Sequence, residues 1–418
     1  MSIKSSVLSL LRDIKWTLRA LILKVKYQRV ISRLRKEYGH RKIVVAFCVS
    51  EIAKWKSQKM YEKFQNSDKF HPIIFTYPSF IEIEGGMSAV EASIREKNSF
   101  FTDKKMNVIN VWDTEYNQCV IPNESRPDII FYQQPWDTPP FPLPWETSDY
   151  ALSFYIPYFL VNNFEQKLEL CLPLHYLLYA HIVQSPEIAA FYDTKIKLRH
   201  YAGSRLGLGH TIVDSLTTRI ETPAKNQCVI YAPHFSFPVP NGSRPLYYSS
   251  FLENGKMILQ FAKNHLEIQW VFKPHPRLYS ELKSVGGWTD EEVDRYYEDW
   301  NKIGTVCTTS DYVEHFQNSF SMITDCGSFM TEYSCMDKPL IRLYYHKENL
   351  PPNPMLEKLY STFYYAHNND ELAELLDSVI CRREDPHQQA RHDEVVKLGL
   401  NKSNTSERII EYLDKLLG

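Results

Sequence analysis

From residue 41 onward the chain alternates short apolar runs rich in Val, Ile, Phe and Tyr with longer segments of mixed polarity. Runs of this kind read as strands buried on both faces, and the segments between them as crossover helices. Together they specify a parallel sheet covered by helices, an α/β fold. Strands are expected at 42–49, 72–77, 107–112, 128–133, 150–156, 227–232, 268–273, 304–307, 320–324 and 339–344. A chain of 418 residues is too long for one ordinary domain, so the strands divide into two Rossmann-like αβα lobes, 41–218 and 219–375. The boundary falls near the polar stretch Thr217–Gln227, which contains Pro223. The segments ELAELLDSVI and SERIIEYLDKLL give the remainder, 376–418, closing helices. Two such lobes facing each other leave a cleft at the carboxyl ends of their strands, where open α/β sheets bind ligands. The Pro-rich segment 133–145 reads as an extended loop or a rigid connection.

Ahead of this body, residues 1–40 form a basic amphipathic helix. Val7, Leu11, Ile14, Leu18, Leu21 and Val25 recur at steps of four and three, which sets one apolar stripe on a helix. Residues 1–42 carry 12 Lys and Arg against two acids, a balance of +10 that leaves −12 for the rest of a chain of net charge −2. An arm of this type can lie on an anionic membrane surface through residues 3–36, dock on its own protein, or pair as a short coiled coil. No basic groove or reading motif follows it, so nucleic acid is not an expected partner. The first apolar stretch is broken by charge every few residues, so neither a secretory signal nor a spanning helix is expected. Eight scattered cysteines without a CxxC pair suit buried, reduced thiols rather than disulfides or a zinc site.

Three segments carry candidate chemistry. In IQWVFKPHPRL (268–278), Lys273, His275 and Arg277 stand at alternate positions of an extended run stiffened by Pro274 and Pro276. A fork, a point charge and an imidazole on one side suit a phosphate, although a strand end with solvated charges has the same look. In FSMITDCGSFMTEYSCMDKPLIRLYY (320–345), an apolar strand ends at Thr324 and Asp325, and Gly327 with Ser328 opens a helix carrying Glu332. Helix N–H groups and a hydroxyl there make an anion site, and Glu332 can accept the hydroxyls of a ribose; a plain capped turn is the alternative. In QCVIYAPHFSF (227–237), His234 follows a strand end and is placed as a general base, or as a merely hydrogen-bonded loop residue. No Asp-x-Asp stands between strand ends to hold a metal under a diphosphate. Lys273, Arg277 and the helix N-terminus are expected to serve in its place, with no metal and no cofactor.

Taken in order, YAPH, FKPHPR, ITDCGSFMTEY and KPLI resemble the CDP-glycerol glycerophosphotransferase family, which includes the teichoic-acid glycerol-phosphate polymerases. FCVSEIAKWKSQKMYEKF (47–64), DIIFYQQPW (128–136) and ALSFYIPY (151–158) resemble members of that family from Gram-negative surface-polysaccharide loci. The likeness spans roughly residues 41–375. It implies a GT-B fold, with an N-terminal acceptor lobe and a C-terminal nucleotide-donor lobe. It also implies transfer of glycerol phosphate or a similar phosphopolyol from a CDP-activated donor to a glycan or lipid-linked acceptor, with release of CMP, at the cytoplasmic face of the inner membrane. Carried over, Lys273, His275 and Arg277 hold the pyrophosphate together with Gly327 and Ser328, Asp325 lies at the same site, Glu332 holds the ribose, and His234 is the base. None of His175, His181, His200 and His210 stands in that family's first-lobe histidine context. Two other readings keep the architecture: a nucleotide-sugar-dependent GT-B glycosyltransferase of capsule or lipopolysaccharide synthesis, and a non-catalytic docking component of a membrane polysaccharide assembly.

Overall fold

The computed structural model describes residues 3–135, 141–160, 170–196, 201–218, 228–238, 247–308, 312–346 and 353–418, with side chains from residue 14 onward. The side chains of Val7 and Leu11, together with His200, the centre of the Pro-rich segment and most of the 217–227 connection, lie outside this description. The chain forms two compact units: 1–159 with 166–214 and 404–418, and 160–165 with 215–403.

The first unit is built on β1 (Ile43–Val49), β2 (Phe70–Thr76), β3 (Val108–Asn110), β6 (Ile129–Tyr132), β7 (Leu152–Tyr155), β8 (Ala180–Ile182) and β9 (Ser204–Leu206). All pair in parallel, in the order β3-β2-β1-β6-β7-β8-β9. A two-stranded ladder, β4 (Trp112–Asp113) with β5 (Gln118–Cys119), intervenes before β6. The second unit holds β10 (Cys228–Ala232), β11 (Gln269–Phe272), β12 (Gly304–Val306), β13 (Ser319–Thr324), β14 (Leu340–Leu343) and β15 (Tyr364–Ala366) in the order β12-β11-β10-β13-β14-β15, again parallel throughout. Its core stacks Phe272 on Trp300 at 5.0 Å and places Tyr231, Trp270 and Tyr296 around them. Each expected strand is present. The sequence reading missed β4, β5, β8, β9 and β15, strands of two or three residues in which polar or aromatic residues stand among few aliphatic ones.

Both sheets are doubly wound. From β1 the chain steps outward through β2 and β3, then returns to lay β6 on the opposite side of β1. In the second unit it steps from β10 through β11 and β12 and returns to lay β13 beside β10. Crossovers diverge at each such point, so loops part there and leave a crevice at the carboxyl ends of the two central strands.

The N-terminal helix, Ile3–Glu37, docks on the first unit through Ala20, Leu23, Tyr27, Val30, Ile31 and Leu34, all buried. The Tyr27 hydroxyl donates to the Leu177 carbonyl at 2.6 Å, and Arg33 and Arg41 both grip the buried Asp128. The residues of the expected stripe that the structure describes do not take part: Ile14, Leu18, Leu21 and Val25 stay 46–57% exposed, with Ile22 beside them. No helix among the described residues is long and apolar enough to cross a membrane. The last helix, Thr405–Leu417, belongs to the first unit, where the backbone N–H groups of Thr405 and Ser406 donate to Asp214 at 2.8 and 2.7 Å. None of the eight cysteines is in a disulfide. Six are buried, whereas Cys171 is part-exposed and Cys381 exposed.

Candidate functional site

The second unit's switch point lies between β10 and β13, and most of the sequence-derived site residues are found at or beside it. His234 follows β10 by two residues and Asp325 follows β13 directly. Asp325 is 2% exposed and braces two loops, accepting from the His234 N–H at 2.6 Å and from the Ser250 N–H at 3.0 Å. Burial lifts its carboxyl to about 7, against the opposite pull of those N–H groups, which favour the ionised form. Asp325 thus acts as a buried brace for the crevice wall.

Next to β10, β11 delivers the basic segment. Pairing continues past the strand, with Lys273 N–H donating to the Tyr231 carbonyl at 2.8 Å and His275 N–H to that of Pro233 at 3.0 Å. Lys273 and His275 therefore share the extended run, but Arg277 does not. It has turned into helical conformation and caps the helix Leu278–Ser284, pairs with Glu281, and lays its guanidinium 4.3 Å from the Phe235 ring centre. Lys273 is buried, with its ammonium 6.0 Å from the Phe329 ring centre. Two strand ends so converge that the rings of His234 and His275 lie 4.9 Å apart, edge to face.

The hydrogen bonds fix which nitrogen of each imidazole carries a proton. At His275, Nδ1 accepts from the Arg277 N–H at 3.1 Å, so Nε2 holds the hydrogen. Burial, then Arg277 and Lys273, push its pKa down to about 4, so it is a neutral N–H donor at physiological pH. At His234, Nδ1 accepts from the Ser236 N–H at 3.2 Å and lies 2.7 Å from the Ser236 hydroxyl, whose oxygen already receives the Tyr248 N–H. The hydroxyl hydrogen must then point at Nδ1, and neutral His234 also carries its proton on Nε2. His275 thus carries Nε2–H, which suits an anion's oxygens better than it suits a general base, and His234 uses Nδ1 as an acceptor.

The helix Gly327–Ser334 starts two residues beyond Asp325, capped by Cys326, whose N–H donates to the Thr324 hydroxyl at 2.9 Å. Ser328 lies in its first turn, with its hydroxyl 3.5 Å from the Cys326 sulfur. Glu332 sits a turn further, 2% exposed, and accepts the Tyr312 hydroxyl, so a ribose would have to displace that phenol. Sequence reading passed over Arg342, a buried cation in β14 that pairs in register with Thr324 and lies 4.7 Å from the Tyr344 ring centre. Its signal was there, a charge in the middle of the apolar run LIRL. Taken together, the edge offers cations and N–H donors for a phosphorylated ligand.

Neither a family model nor a curated protein matches the sequence. Solved structures do. The wall teichoic acid polymerase TagF aligns over 97% of this chain and 98% of its own at 14% identity, with a TM-score of 0.58. MnaA from S. aureus, solved with UDP, aligns over 90% of this chain and 97% of its own at 13% identity and 0.53. The UDP-GlcNAc 2-epimerase from Neisseria meningitidis, bound to UDP-GlcNAc, covers 90% of this chain and 100% of its own at 13% and 0.51. At such identities the likeness defines architecture alone: two Rossmann-like α/β units in the GT-B fold class.

Proposed function

We propose that the protein transfers glycerol phosphate, or a similar phosphopolyol, from a CDP-activated donor to a hydroxyl of a surface-glycan or lipid-linked acceptor. The observation that carries this reading is the pair of strand ends holding His234 and His275 4.9 Å apart, with His275 as an Nε2–H donor, beside the cations of the Lys273 segment. The acceptor oxygen forms a bond to the phosphorus next to glycerol, the bond from that phosphorus to the bridging oxygen breaks, CMP departs with the electron pair, and the hydroxyl proton is released. Charge builds on oxygens in such a step, and fixed donors aimed at them lower its barrier most. Lys273, Arg277 and the Gly327–Ser328 helix start supply the charge and N–H groups, Asp325 holds the loops that carry them, and Glu332 is the ribose partner. His234 and His275 act as donors to the diphosphate. The same edge would also accept a nucleotide sugar, and two of the structural neighbours described above are solved with UDP or UDP-GlcNAc.

Incubation with CDP-glycerol and a panel of UDP-activated sugars separates the two readings by the nucleotide released. CMP formed from CDP-glycerol is the expected result, and a nucleoside diphosphate released from a sugar donor would overturn it. Absence of turnover with every donor, joined to an unaltered ability to assemble partners, would favour the docking role.

The arm completes the reading. The row Ile14, Leu18, Leu21, Ile22 and Val25 is exposed on a helix whose opposite seam is anchored, and Lys15, Arg19, Lys24 and Arg29 flank it. A bare apolar row with basic flanks fits an anionic leaflet, each nearby cation adding about 1 kcal/mol. The protein would thereby work as a peripheral component of the cytoplasmic face of the membrane.

A further inference from the structure

The first unit has its own switch point, between β1 and β6, and its side chains differ from those of the second. Just past β1 stand Ser50, Glu51 and Lys54; just past β6 stand Gln133 and Gln134. Gln134 joins the two strand ends. Its amide nitrogen donates to the Ser50 hydroxyl at 2.8 Å, and its carbonyl accepts from the Lys54 ammonium at 2.8 Å. Glu51 pairs with the same ammonium, which lies 5.2 Å from the Tyr158 ring centre. Ser50 and Gln134 are 4% and 6% exposed, while Glu51 keeps a third of its side chain open.

Two buried amides at this end of the sheet add an independent sign of a ligand. Gln133 Nε2 and Gln184 Oε1, each just beyond its strand, have no hydrogen-bond partner among the described residues, although both side chains are more than nine-tenths buried. Leaving such a group unpaired costs about 1–3 kcal/mol, so a native fold keeps them where a polar partner arrives.

The charges select that partner. Lys54 is already neutralised by Glu51 and shared with Gln134, so a phosphate would meet a carboxylate rather than an open cation. A neutral sugar or polyol hydroxyl meets what it needs, since it donates to a carboxylate or amide oxygen, accepts from an ammonium or amide N–H, and its C–H face rests on an aromatic ring. We infer that the β1–β6 crevice of the first unit is a binding site for a neutral polyhydroxylated ligand, a sugar or polyol, with Glu51, Lys54 and Gln134 as its polar contacts. This deepens the transfer reading, and rests on it, by naming the acceptor's chemistry as a neutral glycan hydroxyl.

The test is ligand-observed saturation-transfer NMR on the full chain with methyl glucoside, methyl galactoside and N-acetylglucosamine, and with glycerol 1-phosphate as the anion. CDP serves as the control for the second unit. At least one neutral sugar is expected to bind, and Glu51→Gln and Gln134→Ala to weaken it by about tenfold, the value of one hydrogen bond to a charged group. CDP affinity should change less than about twofold. Glu51→Gln keeps the side chain's shape at a part-open position, so its result stands even if Gln134→Ala impairs folding. Absence of saturation transfer from all three sugars, equal sugar binding by Glu51→Gln, or a preference for glycerol 1-phosphate lost in Lys54→Ala would each overturn the inference. Failure of CDP alone to bind would strike the donor reading and leave the sugar result to stand.

Discussion

The two units share a topology and differ at its most consequential point. In each, the chain reverses direction across a central pair of strands, β1 with β6 in one and β10 with β13 in the other. At the first crossing an acid, an ammonium, an amide and a hydroxyl neutralise and satisfy one another. At the second, two imidazoles meet edge to face beside the Lys273 segment, and the buried acid Asp325 is spent on backbone N–H groups. One scaffold thus carries two crevices lined by different chemistry, and the difference lies in the few residues that follow each strand. Fold likeness alone therefore cannot assign the chemistry.

The largest effect that would break this contrast is expected from the second crossing. Lys273→Ala and His275→Ala should each lower turnover by about 10²- to 10³-fold, the usual cost of removing a fixed donor or charge from a developing oxyanion. Thermal melting should show both variants folded, and retained turnover in the product assay would remove these residues from the site. Asp325→Ala should cost about 1–3 kcal/mol of stability for each N–H it strands, read by denaturant unfolding, and weaken nucleotide binding because two loops lose their shared anchor. An unchanged unfolding midpoint would show that the brace is dispensable.

Acid provides a smaller and graded test. The pKa of His275 is held near 4, against an ordinary value near 6.5, by burial and then by its cationic neighbours; His175 near 3 and His210 near 4 are depressed mainly by burial. Below pH 6.5 the unfolded chain takes up protons that the fold refuses, so stability falls as the pH drops from about 6.5 toward 4. His275→Asn should flatten part of that fall and leave stability at pH 8 nearly unaltered. An identical slope in wild type and variant, measured by urea unfolding across the range, would show that His275 is not held neutral. The smallest effect concerns the arm. Leu18→Asp should reduce recovery on anionic vesicles several-fold with no change in turnover of soluble substrates, because Leu18 is 57% exposed and lies outside the buried seam of the helix. Equal recovery would place the contact elsewhere.

Much of this architecture was legible in the residues. Apolar runs such as IVVAFCV and SFSMIT are buried along nearly their whole length, and that burial is what made them readable as central parallel strands. Short outer strands such as AHI and SRL carry no such run. The last helix could be read as a helix, but its place in the first unit depends on Asp214 meeting Thr405 and Ser406 nearly 200 residues later, a contact no local pattern encodes. At the candidate site, the spacing of Lys273 and His275 pointed to a strand end that the structure sets beside the β10–β13 switch point. The tautomer of His275 did not show, because it is set by the Arg277 backbone N–H that the folded loop places against Nδ1. The arm illustrates the same limit: periodicity found an apolar stripe, but only packing shows that a second seam, through Leu23, Tyr27 and Leu34, is the one the fold buries.

The proposed transfer requires the β10–β13 crossing to bind the diphosphate of an activated donor. Calorimetric titration of CDP-glycerol into the wild-type chain and into His275→Ala tests it most directly. Saturable binding by the wild type, weakened at least about tenfold in the variant while Glu51→Gln binds as the wild type does, is the predicted result. Equal affinity of all three proteins, or loss only in Glu51→Gln, would contradict it.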